Sequence, residues 1–312
     1  MMGRGLTTTM AQCFSQTSRT ALMTGSGVGG TTLKEKLAFM RQRTEAGIME
    51  CKKALEQHNM DPEEALKSLS EKAKSAKGRE GRVLSAASIA IASRQDGSGV
   101  ALVEGTSETD FVAKNDLFQS LLLKLSRHSL LLTPSPSSKA VLSLDGASSL
   151  TALDIAELLN QRPTETGDEG VANFQEVVSK VIFSTGENVV IRRASILQTA
   201  GDQTKKGSVV VTGYTHGDGR VATALALCSP TASLDTLKSF GRDLAVHVAA
   251  CSPKAIDRDH AASLGLADLS ADDLFVSQSL IVDDSLTVAQ SLSKHNATIS
   301  SFVRWERGEL IE

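Results

Sequence analysis

Aromatic residues are scarce. They make up 4% of the 312 residues, with one tryptophan, Trp305, and one tyrosine, Tyr214. That scarcity disfavours stacking platforms for single-stranded nucleic acid, which need ring faces in succession. It also leaves the core to Leu, Val, Ile and Ala, for which a hydrophobic content of 41% suffices at this length. No apolar run reaches the roughly 18 residues of a membrane span, so no transmembrane segment is expected. The cysteines, Cys13, Cys51, Cys228 and Cys251, are few and never spaced as CxxC. Zinc ribbons and thioredoxin-type chemistry are thereby excluded, and so wide a scatter reads as reduced, intracellular thiols. Neither charge sign dominates: 33 Lys and Arg against 36 Asp and Glu give a net charge of −3. A strongly cationic nucleic-acid coat is therefore excluded, although a local basic patch is not.

The motifs of autonomous chemistry are missing too. There is no GxxxxGK[ST] phosphate cradle, so no direct nucleotide binding is expected. GxGxxG ahead of a βαβ unit, GxSxG and HExxH are absent. The histidines His58, His128, His216, His247, His260 and His295 stand singly, with no pair at metal-ligand spacing. No metal and no cofactor are expected. Glu108 and Asp110 would share a face of an extended segment. They read as an exposed polar edge in preference to an acid pair, since no second constellation supports chemistry there. By elimination the chain reads as a binding protein without bond-breaking chemistry.

What is present falls into segments, and the length alone suggests about two domains. Residues 1–30 carry Arg4 and Arg19, many Ser, Thr and Gly, and no acid before Glu35. That is the composition of an organelle transit peptide, with a plain disordered tail as the alternative. Residues 33–70 hold a helical bundle. Leu33, Leu37 and Met40 recur at helical spacing, Thr44–Gly47 interrupt, and Cys51, Ala54 and Leu55 share a face of a second helix. Asp61-Pro62-Glu63-Glu64 starts a third, with an N-cap acid, proline at N1 and carboxylates at the positive helix end. Residues 71–82 (EKAKSAKGREGR) read as a solvated basic linker, with an RNA-associated patch as the alternative. Few contacts are expected to cross it.

Beyond it the pattern becomes α+β. Val83–Ala92 and Val100–Glu104 read as strands around Gln95–Gly99. Phe118, Leu121, Leu122 and Leu125 mark a helix. Residues 133–149 read as a surface loop, Val171–Val181 as helix and Val189–Leu197 as strand. Ser208–Tyr214, a turn at Gly217-Asp218-Gly219, Val221–Cys228 and a helix through Leu234–Val248 then repeat the first unit. With Gly99 laid over Gly219 the two run in step, down to Arg127-His128 against Val246-His247. Two related subdomains follow, 83–200 and 201–312, each a small antiparallel sheet with helices packed on it. A helix near Leu286–Lys294 and a strand at Phe302–Trp305 close the chain.

Ser107–Asn115 joins a strand to a helix and places Phe111 among polar neighbours. On composition alone Phe111 is expected to turn inward, as large apolar groups do. A protruding ring is the other reading.

Phe39–Thr44 with Cys51–Leu55 resembles the opening of the elongation factor Ts family, and Thr109-Asp110-Phe111-Val112-Ala113 resembles its signature loop. Gly186-Glu187-Asn188 with Ile191-Arg192-Arg193, then His247-Val248-Ala249-Ala250, then His295-Asn296-Ala297 with Phe302 and Arg304, are similar to further family stretches, in family order. The resemblance spans about Leu33 to Glu312 and makes the first bundle UBA-like. There are departures. Glu45 and Leu310 stand where the family usually has glycine, and the stretch from Ala250 to Phe302 leaves little room for the coiled coil of bacterial members. With the acid-free leader, this points to an organellar form, in the mitochondrial matrix in preference to a plastid. The resemblance implies a guanine-nucleotide exchange factor for an organellar elongation factor Tu. It assigns Thr109, Asp110, Phe111 and Val112 to disturbing the partner's Mg²⁺ site. Arg41, Cys51, Lys52 and His247 are weaker contact candidates.

Overall fold

The computed structural model describes residues 32–44, 46–74, 83–132, 139–143, 145–164, 170–200 and 207–310. The proposed leader and most of the basic linker lie outside them. The chain opens with helices α1 (Leu33–Thr44), α2 (Ile48–Gln57) and α3 (Pro62–Lys74). Met40, Cys51, Ala54, Leu55, Ala65 and Leu69 bury their side chains at the centre of the three. The third helix starts as its sequence predicts: Asp61 Oδ1 accepts from the backbone N–H of Glu63 and Glu64 at 2.9 and 3.2 Å.

Strands β1 (Ala86–Ser93) and β2 (Gly99–Ser107) form an antiparallel hairpin, followed by a single helical turn α4 (Asp110–Ala113) and helix α5 (Asp116–Ser129). Next come β3 (Lys139–Leu142), β4 (Ser148–Ala152), α6 (Ile155–Asn160), α7 (Phe174–Thr185) and β5 (Val189–Thr199). The strands make one antiparallel sheet in the order β1-β2-β5-β4-β3. Phe118, Leu121, Leu122 and Leu125 of α5 meet Phe174 and Val178 of α7 over Val103 and Ile191. Gly105 allows that approach, because a Cβ there would lie 2.7 Å from Leu122 Cδ2.

The second unit repeats hairpin and helix with β6 (Ser208–His216), β7 (Val221–Ser229) and α8 (Leu234–Cys251). After α9 (Arg258–Ser263) and two short 3₁₀ turns come β8 (Ser279–Leu280), β9 (Asp283–Thr287), α10 (Val288–Lys294) and β10 (Thr298–Glu306). The last strand pairs with β7, giving a sheet in the order β10-β7-β6. The two sheets close on one another through Ile89, Val100, Leu102 and Leu197 on one side and Val211, Ala222, Ala224 and Trp305 on the other. Strand β2 is consequently buried along its whole length. The fold is α+β, with a helical bundle ahead of two related antiparallel units. No coiled-coil helix pair occupies 252–297.

Two expectations need correction. Residues 133–149 are not simply a loop: of the part described, Lys139–Leu142 is strand β3, which pairs with β4 at the segment's end and extends the first sheet. Serine-rich composition hides the strands, whose ladder is set by a turn in which Asp145 Oδ1 accepts from Ala147 N–H at 2.9 Å. The bundle is also less separate than its linker suggests. Phe183 of α7 packs against its core, and Arg43 donates to the Gly170 carbonyl at 2.9 Å.

Candidate functional site

The last register pair of β2 and β5 is Ser107 with Val189. Just beyond it, two carboxylates continue the ladder in place of backbone carbonyls. Glu187 accepts from Thr109 twice, from its backbone N–H at 3.0 Å and from its hydroxyl at 2.7 Å. Glu108 accepts from the backbone N–H of Asn188 at 2.7 Å. The clasp is reciprocal, each strand end lending one carboxylate to the other. Ser85 Oγ donates to the Glu108 carbonyl at 2.6 Å and Ser107 Oγ to the Thr109 carbonyl at 2.9 Å.

From this base the chain makes the helical turn α4. Thr109 is its N-cap, its hydroxyl oxygen accepting from Val112 N–H at 3.5 Å. One helical turn sends successive side chains in different directions. Val112 and Ala113 enter the core between α5 and the sheet. Asp110 points outward and pairs with Lys114 at 3.4 Å across exposed surface. Phe111 is 83% exposed. The signature residues thus divide into a buried anchor, Val112, a braced cap, Thr109, and two outward groups, Asp110 and Phe111. The inward expectation for Phe111 is overturned because Val112 takes the core position. Glu108 and Asp110 form no acid pair, since the first faces Asn188 and the second faces solvent.

The weaker candidates separate by burial. Arg41 and Lys52 are exposed, and Lys52 lies 3.8 Å from Glu56 on the next turn. Cys51 is fully buried in the bundle, where burial pushes its thiol above the ordinary range. His247 is also fully buried. Its Nδ1 accepts from Ile281 N–H at 3.2 Å, so Nε2 carries the proton and donates to Gln278 Oε1 at 2.8 Å. Its ring stacks on Phe275 at 5.5 Å, and burial holds the imidazole below its ordinary pKa. Cys51 and His247 thus pack the interior and present no side chain to a partner.

Sequence reasoning passed over Ile48 and Met49, which are 53% and 75% exposed at the start of α2. For Met49 the available signal was phase, since it lies off the face that carries Cys51, Ala54 and Leu55; Ile48 is in phase with that face and is exposed at the first position of the helix. Sequence reasoning named Glu187 only as part of a family stretch and gave it no role, because that role depends on Thr109, 78 residues away. Among the described residues, no group of three or more His, Cys, Asp or Glu side chains is placed to hold a metal ion. No helix among them is long and apolar enough to cross a membrane.

A solvent-facing phenylalanine held on a braced turn is a feature of protein-recognition surfaces, where few, often aromatic, side chains carry most of the binding energy. The family model described as Elongation factor TS matches residues 108–268, beginning at the clasp. Elongation factor Ts of Methylorubrum extorquens (strain PA1) is 31% identical, over 88% of this chain and 91% of that protein. That of a Nitratiruptor species is 28% identical, over 88% of this chain and 92% of its own length. A protein of Dictyostelium discoideum named Elongation factor Ts, mitochondrial, is 28% identical over 71% of this chain and 65% of that protein. The chain belongs to the elongation factor Ts family and is a translation elongation factor.

Proposed function

We propose that this protein is a guanine-nucleotide exchange factor that binds elongation factor Tu and promotes GDP release, with Thr109–Val112 as its working loop. The observation that carries this is Phe111, displayed at 83% exposure on a turn whose base is braced by the Glu187 and Glu108 carboxylates. Tight nucleotide binding in a GTPase rests on a phosphate cradle and its Mg²⁺. An apolar side chain inserted beside that Mg²⁺ shifts the elements that hold both. Asp110 enters next to it as a second outward group. No bond in the nucleotide is broken, so the factor needs no cofactor and no reacting constellation. Linkage requires reciprocity: if the factor lowers GDP affinity, GDP lowers the affinity for the factor by the same ratio.

The helical bundle supplies a second contact, through the exposed Ile48 and Met49 with Arg41 and Lys52 beside them in sequence. The units 33–70, 83–200 and 201–312 are read as its working divisions. The site of action is organellar, the mitochondrial matrix. The acid-free leader and the named mitochondrial relative support that assignment. Residues 1–30 fused to a fluorescent protein should carry it into mitochondria, and a cytosolic or plastid signal would contradict the assignment.

The direct test is organellar elongation factor Tu loaded with labelled GDP. Catalytic amounts of this protein should accelerate label release in the presence of unlabelled nucleotide. An unchanged release rate at saturating protein would overturn the proposal.

A further inference from the structure

We propose that Glu187 is a positioning residue for nucleotide exchange: its bidentate hold on Thr109 sets the direction in which Phe111 is displayed. The inference rests on the functional reading above and extends it to a residue outside the loop.

Three observations carry it. First, both carboxylate oxygens are committed to one residue, at 3.0 Å to Thr109 N–H and 2.7 Å to its hydroxyl. Thr109 is the cap of α4, so fixing its backbone and its χ1 together fixes where the turn begins. Phe111 lies two residues on, and a small rotation at the cap sweeps its ring through a large arc. Second, the turn is four residues long, and beyond the Thr109 cap it is held by the buried Val112 and Ala113 and by Gln119 Nε2, which donates to the Ala113 carbonyl at 2.5 Å; of these only the cap acts ahead of Phe111. An isolated turn of that length has no stability of its own. Third, Glu187 stands where helix stability alone would not put it. It follows Gly186, the left-handed residue that ends α7 with φ 76°. A carboxylate at a helix C-terminus meets the negative end of the dipole and is unfavourable there. Its hydrogen bonds to Thr109 offset that cost and face the loop.

Glu187→Ala leaves the Thr109 N–H and hydroxyl without this partner and frees the turn to reorient. Hydrogen bonds to a charged acceptor are among the stronger ones, so the maximal GDP-release rate should fall roughly tenfold. The concentration giving half the maximal rate should move far less, since the ring still contacts the partner in a fraction of orientations. Glu187→Gln keeps one acceptor and should recover part of the rate. A purely structural role would not give the decisive signature, which is non-additivity. On a Phe111→Ala background, Glu187→Ala should change release no further.

Amide hydrogen exchange provides a readout that needs no partner. In Glu187→Ala, protection should fall at Val112 and Ala113 and remain at Leu102 and Ile196 in the sheet. Unchanged protection at Val112, or an equal loss of release on the Phe111→Ala background, overturns the positioning role. If Phe111→Ala itself leaves release intact, the functional reading fails. That case is recognised by lost protection in Glu187→Ala without any lost release.

Discussion

Glu104 and Arg193 sit opposite one another on β2 and β5, and the carboxylate, with no exposed surface, accepts from Arg193 Nε at 2.5 Å. Its other oxygen accepts from Arg192 Nη1 at 3.0 Å and from Gly308 N–H at 2.7 Å. Neighbouring residues of a regular strand point to opposite faces. The register of β5 shifts between Glu104 and Gly105, and that bulge lets Arg192 and Arg193 reach one carboxylate. Arg193 also lies over the Trp305 ring at 4.1 Å and bonds Glu309 at 2.8 Å. The cluster therefore ties the end of the chain to the first sheet.

Removing that carboxylate takes the ion-pair partner from Arg192 and leaves Arg193 with Glu309 alone. Glu104→Ala should destabilise by about 3–5 kcal/mol, the range for breaking a buried ion pair by deleting one partner. Glu104→Gln should cost less, because it retains an acceptor. Urea unfolding monitored by Trp305 fluorescence checks this. A loss below about 1 kcal/mol for the alanine variant would show that the cluster contributes specificity only.

The buried imidazole of His247 predicts an acid sensitivity. Burial holds its folded-state pKa below the unfolded 6.5, and the Gln278 hydrogen bond only partly offsets this. Well above 6.5 the ring is neutral in both states and contributes no pH dependence. Below that value the unfolded chain binds the proton first, so stability falls until the folded pKa is passed. His260 is shifted the same way by burial and adds to the slope. The thermal midpoint should be flat well above 6.5 and decline as pH falls through it. His247→Asn should flatten the decline, and a slope identical to wild type would contradict the assignment.

Much of the architecture is legible in the chain because local chemistry agrees with tertiary context. Asp61-Pro62 starts a helix where such a pair should, and the two hairpin-helix units appear as a repeated pattern. The hairpin β3–β4 is not legible, since Ser143, Ser148 and Ser149 carry no alternation of apolar and polar residues. Its stability comes from distant partners, such as Ser148 Oγ at 2.8 Å from Ser300 Oγ. Short α6 and α9 lack the length that makes a helical period visible. Phe111 illustrates the same limit at the candidate site. A lone aromatic in a junction has no periodicity, and its direction is set by Val112 beneath it and by Glu187 from the distant bend between α7 and β5. His247 resembles a contact residue by motif, yet its surroundings are decided by Phe275, Gln278 and Ile281.

Contacts between bundle and body lead to a further expectation. Deleting residues 33–74 uncovers Phe183, so the remaining body should unfold cooperatively at a somewhat lower midpoint. Calorimetry checks this, and loss of a cooperative transition would mean that the bundle is integral to the body.

Met49 offers a substitution that separates binding from folding. At 75% exposure, Met49→Asp should alter stability by no more than about 0.5 kcal/mol. If the bundle docks on elongation factor Tu through this surface, affinity should fall by roughly tenfold or more, since burying an unpaired carboxylate is costly. Isothermal titration with nucleotide-free elongation factor Tu measures it. Unaltered affinity would remove the start of α2 from the interface.

The central claim is that Phe111 acts on the partner and not on its own fold, and one variant with two assays tests it. A core phenylalanine truncated to alanine costs about 3–5 kcal/mol, whereas exposed positions change by about 0.5 kcal/mol or less. With Phe111 at 83% exposure, the unfolding curve of Phe111→Ala should overlie that of wild type. An aromatic interface anchor is worth about 2 kcal/mol or more, so release of labelled GDP from elongation factor Tu should slow at least roughly tenfold. A large loss of stability with release per folded molecule intact would return Phe111 to the core and contradict the account.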